Sequence, residues 1–346
     1  MRETQLSWRT LWGYARAVSA FSRSALPELH RGKFERLAAA AGGSGPNAPQ
    51  PRLPPQEALA MADGYPLAYR HYASLTCRRV LVLVHGAGCF GDQMQVMARH
   101  LSSSDSADVY TLDMRGHGLS PGRPGHAIDN PHQMETDLAS FVSFAAQRHG
   151  GAPIVLGGHS AGGGLVLALS RSPSRQLVSA YLFLAPFVGL GSPVNRPYFG
   201  GWVRLRALRL RVLSLISALG VTRFNGSTVI DFAPAARLLD SRYVPSWSFN
   251  TTLAFGPGLW FEQPVPIDRN IPVLVAAGGA DECFESSLYP AAFRSIAPHA
   301  EFCTPGDIGH WDLLVDTKTL DAVERWLGRH VADLSGDVPA YHTTRI

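Results

Sequence analysis

Cysteine is scarce in this 346-residue chain: Cys77, Cys89, Cys283 and Cys303 are the only four, and they lie far apart. None forms a CxxC, and no Cys/His pair has metal-ligand spacing, so a structural zinc or other metal centre is not expected. Four thiols are also too few for a disulfide framework. Cys283 and Cys303 could meet only if their strands were neighbours, and the expectation is two unrelated thiols. Long apolar runs are missing too. None reaches the ~18 residues that a membrane span needs. The apolar residues near the start are interrupted by Arg9, Arg16 and Arg23, which leaves no h-region for a secretory signal. A cytoplasmic location is the resulting expectation. Charge of one sign is not abundant, with 31 basic against 27 acidic residues and a net charge of +4. No RNP-like, helix-turn-helix or zinc-finger pattern accompanies that small excess, so nucleic acid is not an expected partner.

What is present is an ordinary globular balance, 46% hydrophobic and 17% charged, long enough for one large core with an inserted subdomain. Residues 1–55 read as a helical extension and linker. Leu6, Trp8, Leu11, Trp12, Ala15, Val18 and Phe21 fall roughly on one helical face among the arginines. Such a helix either rests on a membrane surface or partner, or packs on its own core. A Gly/Pro/Ala stretch from Ala38 to Pro55 follows.

From about Glu57, strand and helix patterns alternate. Strands are expected at Leu67–Ala73, Val80–Val84, Ala107–Met114, Pro153–Gly157 and Val178–Leu184. Helices are expected at Met94–Ser102, Pro131–Arg148 and Ala161–Ser170. The alternation predicts an α/β fold, with a mostly parallel central sheet and helices on both faces. It stops at Pro186 and resumes with Ile271–Ala277, Tyr289–Ile296, Glu301–Thr304 and Thr317–Ala332. The division is therefore core at 56–186, an inserted, mainly helical subdomain at 187–266, core again at 267–335, and a tail at 336–346.

The chemistry centres on Gly158-His159-Ser160-Ala161-Gly162, placed where a strand runs into a helix. A serine there must take a strained turn that lifts its hydroxyl off the sheet edge, and the helix N-terminus brings free N–H groups beside it. A phosphate cradle would need a Lys-Ser/Thr or a G-x-G-x-x-G, and neither is present. A nucleophilic serine needs a base, and the base needs an orienting acid. Asp281 follows strand Ile271–Ala277 and His310 follows Glu301–Thr304. Both thus fall at carboxyl ends of parallel strands, where sites form in open α/β sheets. His299 is the rival base, but it precedes its strand and belongs at the opposite edge. Asp307 and Asp312 are rival acids, with Glu282 and Glu285 weaker ones. For the oxyanion, the expected N–H donors are Ala161 and, in the turn His85-Gly86-Ala87-Gly88 after Val80–Val84, Ala87, with Gly88 as the alternative.

In this order, the motifs His85–Gly88, Asp113-Met114-Arg115-Gly116-His117-Gly118, Gly158–Gly162, Gly278-Gly279-Ala280-Asp281 and Gly309-His310 resemble the α/β-hydrolase superfamily. The likeness is to its capped branch of monoacylglycerol lipases, lysophospholipases and serine aminopeptidases, over residues 57 to 332. The resemblance implies hydrolysis of an ester, thioester or amide through an acyl-enzyme, with no cofactor and no metal. It implies a structural role for Asp113–Gly118. Serine in place of aspartate at the elbow separates the chain from epoxide hydrolases and dehalogenases.

Trp202–Ile216 reads as a helix with an apolar face beside Arg204, Arg206, Arg209 and Arg211. With the surrounding aromatics it suits an acyl tunnel and contact with anionic lipid. No acidic cluster awaits a peptide amine, which favours a small ester with an apolar acyl group as substrate. Aminopeptidase, thioesterase or acyltransferase chemistry on the same triad is the alternative, and a non-catalytic binding protein is a third reading. Peripheral membrane contact is expected through residues 1–40 or the cap.

Overall fold

The computed structural model describes residues 52–76, 79–232, 240–257 and 265–331. The helical extension expected at residues 1–40 and the tail at 336–346 lie outside the described residues.

The first core half contains β1 (Gln56–Ala60), β2 (Pro66–Tyr72), β3 (Val80–Val84), α1 (Gln95–Ser103), β4 (Asp108–Leu112), α2 (Gln133–Arg148), β5 (Ile154–His159), α3 (Ala161–Leu169) and β6 (Ala180–Leu184). After the insertion come β10 (Val273–Ala276), α6 (Tyr289–Phe293), β11 (Glu301–Cys303) and α7 (Thr317–His330). The eight core strands make one sheet in the order β1-β2-β4-β3-β5-β6-β10-β11. Strands β1, β2 and β4 pair antiparallel, and all other neighbours pair parallel.

Every residue of β3, β4, β5 and β6 is buried. Strands covered on both faces cannot alternate polar and apolar residues, which explains the unbroken Val80-Leu81-Val82-Leu83-Val84. Strand β1 has no such signal, because four of its five residues are exposed. It forms by pairing with β2, from Gln56 opposite Arg70 to Ala60 opposite Pro66.

Between β6 and β10 the chain forms β7 (Val203–Leu205), α4 (Ala207–Ala218), β8 (Thr228–Phe232), β9 (Ser246–Ser248) and α5 (Phe249–Ala254). The helix expected from Trp202 therefore begins only at Ala207. Residues 203–205 are instead the edge of a three-stranded antiparallel sheet, β7-β8-β9. Strands of three to five residues are too short to show a period of two, so the pattern in this stretch reads as helix and loop.

Candidate active site

Strand β5 ends at His159, and Ser160 then turns the chain into α3 with φ 53° and ψ −119°. This conformation is costly for a residue with a side chain, and its surroundings enforce it. The Ser160 N–H donates to Leu184 O at 2.9 Å, and Ser160 O accepts from Phe187 N–H at 2.8 Å. The flanking glycines are required by space. A Cβ on Gly158 would lie 2.5 Å from the Gly162 carbonyl, and one on Gly162 would lie 2.3 Å from Val84 O. Ala161 is the first residue of α3, so its N–H has no acceptor one turn back.

Asp281 and His310, both 1% exposed, are joined by a bond from His310 Nδ1–H to Asp281 Oδ2 of 2.8 Å. The other carboxylate oxygen accepts the N–H groups of Cys283 and Phe284, each at 2.8 Å. With its proton on Nδ1, the imidazole keeps Nε2 as a free acceptor. The turn carrying Asp281 is tied to the loop carrying His310 by Gly279 N–H to Pro305 O (2.7 Å) and Ala280 N–H to Ile308 O (3.0 Å).

Two side chains not assigned from sequence hold the His310 backbone. Glu282, a weak rival acid by position, accepts the His310 N–H at Oε2, 2.8 Å away. His159 donates its Nε2–H to His310 O at 3.1 Å, with the two rings 4.6 Å apart. Among the described residues no hydrogen bond joins the Ser160 hydroxyl to His310. The serine and imidazole loops are linked through His159, the residue before the serine. Its place inside the pentapeptide was the one available signal.

The rivals fall elsewhere. His299 Nε2 bonds Ile271 O at 2.9 Å, ahead of β10 and so at the opposite edge of the sheet. Asp307 is exposed, and Asp312 starts the short turn that leads to α7. Asp113 accepts the N–H groups of Gly91 (2.6 Å) and Leu119 (2.7 Å), and burial pushes its carboxyl up to about 6. Arg115 forms a buried ion pair with Asp137. The Asp113–Gly118 segment is thus occupied with holding its own loop.

Beside the elbow, the turn after β3 closes with Cys89 N–H donating to Gly86 O at 3.2 Å. His85 and His117 lie behind it, and burial lowers both imidazoles, His117 to about 4. His117 Nδ1–H donates to Arg115 O at 2.9 Å, and its Nε2 accepts the indole N–H of Trp247 at 2.8 Å. A neutral ring of fixed tautomer therefore ties β9 to the core. Of the four cysteines, Cys89, Cys283 and Cys303 are thiols rather than disulfides, and Cys77 lies outside the described residues.

Ser160, Ala87 and Ala161 open into a partly enclosed pocket. Its walls include Phe187, Trp202, Phe232, Trp247, Phe255 and Phe284, and among the described residues none that lines it carries a charge.

The family described as serine aminopeptidase, S33 (Hydrolase_4), matches residues 76–302. A monoacylglycerol lipase of Mycolicibacterium smegmatis is 37% identical over 119 residues, 34% of this chain and 41% of that protein. The esterase YbfF of Escherichia coli is 27% identical over 260 residues, 73% of this chain and 93% of that protein. Human monoglyceride lipase is 28% identical over 180 residues, 49% of this chain and 56% of that protein. The match thus spans less than two thirds of the length of either lipase. Among solved structures, a soluble variant of the Saccharomyces cerevisiae monoglyceride lipase with a substrate analogue superposes with a TM-score of 0.67. It is 18% identical and covers 84% of this chain and 100% of that one, a likeness of fold.

Proposed function

This chain belongs to the serine aminopeptidase S33 family of α/β-hydrolases, and on that premise we propose that it is a serine hydrolase of carboxylic esters with an apolar acyl group, acylglycerols and lysophospholipids among them. Ser160 is the nucleophile, His310 the base, Asp281 the residue that orients it, and the N–H groups of Ala87 and Ala161 receive the oxyanion. The observation that carries this reading is the strained Ser160 opening into a pocket whose described lining is aromatic and uncharged.

In this mechanism Ser160 Oγ attacks the ester carbonyl carbon while its proton passes to His310 Nε2. The imidazolium is stabilised by Asp281, whose remaining oxygen is held by two backbone N–H groups. The tetrahedral oxyanion lies between the Ala87 turn and the positive end of α3. Its collapse expels the alcohol, which takes the proton from His310. Water then attacks the acyl-enzyme with His310 as base, releases the acid and restores Ser160. Among the described residues the lining offers no counter-charge to a peptide's free amine, which supports an ester over an aminopeptidase substrate.

In the same reading residues 187–266 are a cap over the core halves 56–186 and 267–335, and the cap meets the lipid surface that supplies the ester. Leu208, Val212 and Leu215 along α4, with Leu219 at its C-cap, recur at i, i+4, i+7 and i+11, and all are exposed. Arg204, Arg209, Arg211 and Arg223 lie in the same stretch, while Arg206 is paired with Asp231. An exposed apolar stripe beside cations fits an anionic bilayer. Among the described residues no helix is long and apolar enough to cross a membrane.

Hydrolysis of p-nitrophenyl esters from acetate to palmitate, wild type beside Ser160→Ala, tests the chemistry. Turnover lost with Ser160 is expected, with a preferred chain length set by the cavity. No turnover at any length, and no labelling of Ser160 by a fluorophosphonate, would overturn the reading.

A further inference from the structure

The turn after β3 is gripped from two sides, and one grip comes from the inserted segment. Of its two central residues, Ala87 and Gly88, only Gly88 has positive φ, at 72°. With the Cys89-to-Gly86 bond this defines a type II turn. Types I and II differ by a flip of the central peptide, here the Ala87 C=O with the Gly88 N–H. The preceding carbonyl, Gly86 O, is fixed from the core by His85 Nδ1–H at 2.9 Å, and His85 Nε2 in turn accepts Met114 N–H at 3.2 Å. The carbonyl that a flip would move, Ala87 O, receives the Trp202 indole N–H at 3.0 Å and the Cys89 thiol at 3.2 Å.

Trp202 is well placed to hold that carbonyl. It is 5% exposed, and its ring meets Trp311, the neighbour of His310, edge-on at 5.0 Å. The backbone leading into it is strained. Tyr198, Phe199, Gly200 and Gly201 have φ of 52°, 48°, 64° and 89°, a left-handed run that includes two bulky residues. That run is pinned to the loop after Asp281, with Arg196 N–H donating to Cys283 O at 3.0 Å and the Cys283 thiol to Phe199 O at 3.2 Å. One stretch of the insertion therefore touches the acid loop, the neighbour of the base and the oxyanion turn.

We propose that Trp202 is a positioning residue: its indole N–H locks the Ala87–Gly88 peptide in the type II orientation, so the oxyanion turn is complete only with the inserted segment seated. The proposal rests on the serine-hydrolase reading. A flip would reverse the Ala87 C=O and Gly88 N–H dipoles beside the place where negative charge gathers, and dipoles preset there contribute strongly to rate.

The test replaces Trp202 with 3-benzothienylalanine, which keeps the ring and its packing but puts sulfur in place of N–H. Trp202→Phe is the genetically encoded companion. For Ser160-dependent hydrolysis of p-nitrophenyl butyrate, kcat should fall about 10-fold while KM stays within about twofold. A crystal structure of the isostere variant should show the central peptide flipped or in both orientations. An unchanged kcat would overturn the proposal, and so would a lowered kcat with the turn still wholly type II. Failure of the underlying reading looks different: Ser160→Ala would then hydrolyse the ester as fast as wild type. In that case the crystal structure still decides the lock, and an unflipped turn refutes it.

Discussion

His159 donates the proton on Nε2 to the main-chain carbonyl of His310 at 3.1 Å, so the residue before the elbow serine holds the backbone of the imidazole loop. The opposite side of the same backbone is held by Glu282, which accepts the His310 N–H. If these two bonds fix the distance between serine and base, removing the His159 donor alone should slow the chemical step. His159→Phe, which keeps an aromatic ring over His310, is expected to lower kcat by about 10-fold with little change in KM, because misplacement of reacting groups costs rate more than binding. Steady-state kinetics on a soluble ester decide it, and wild-type kcat in the variant would show that the bond is dispensable.

Ser160→Ala and His310→Ala should each reduce turnover by at least ~10³-fold, as expected when a member of a nucleophile–base pair is removed. His299→Ala should leave turnover near wild type, since that imidazole only ties Ile271 O at the far edge of the sheet. Parallel kinetics on the three variants, with circular dichroism as a folding control, test the assignment. Equal losses for His299 and His310 would break it.

Burial lowers the His117 imidazole to about 4, where it accepts the Trp247 indole N–H and stays neutral. The unfolded chain protonates this histidine near 6.5. Between pH 6.5 and 4 the unfolded state therefore binds a proton that the folded state refuses, and stability falls as pH falls through that window. The contribution at stake is about 3 kcal/mol, from roughly 2.5 units at 1.36 kcal/mol each. Urea unfolding at pH 7 and pH 4.5 should show a smaller acid loss for His117→Gln than for wild type. An identical loss in both proteins would assign the acid sensitivity to other groups.

The exposed stripe on α4 makes a separate prediction. Leu208→Asp together with Leu215→Asp should weaken binding to phosphatidylglycerol vesicles at least about tenfold, because each change removes apolar area and adds a charge that anionic lipid repels. Hydrolysis of a water-soluble ester should be unaffected, since both side chains face solvent. Vesicle co-sedimentation at two salt concentrations is the measurement. Equal binding by variant and wild type would exclude α4 as the contact.

The amino-acid sequence determined the alternation of β3 to β6 with α1 and α2, because strands covered on both faces are mostly apolar while these helices keep a polar face. It also determined the places of Ser160, Asp281 and His310, since in a parallel sheet the end of a strand in sequence is the edge of the sheet in space. Glycine marked the elbow, because only a residue without Cβ fits beside the Gly162 carbonyl and Val84 O. The tertiary structure alone decided β1 and the small sheet β7-β8-β9, which arise from pairing with a distant partner and leave no period in three to five residues. It alone decided that Glu282 and His159 hold His310 and that Trp202 reaches Ala87, contacts 28, 151 and 115 positions apart in the chain. A local pattern records which face of an element is covered. It does not record which distant side chain does the covering, because that depends on how the whole chain closes upon itself.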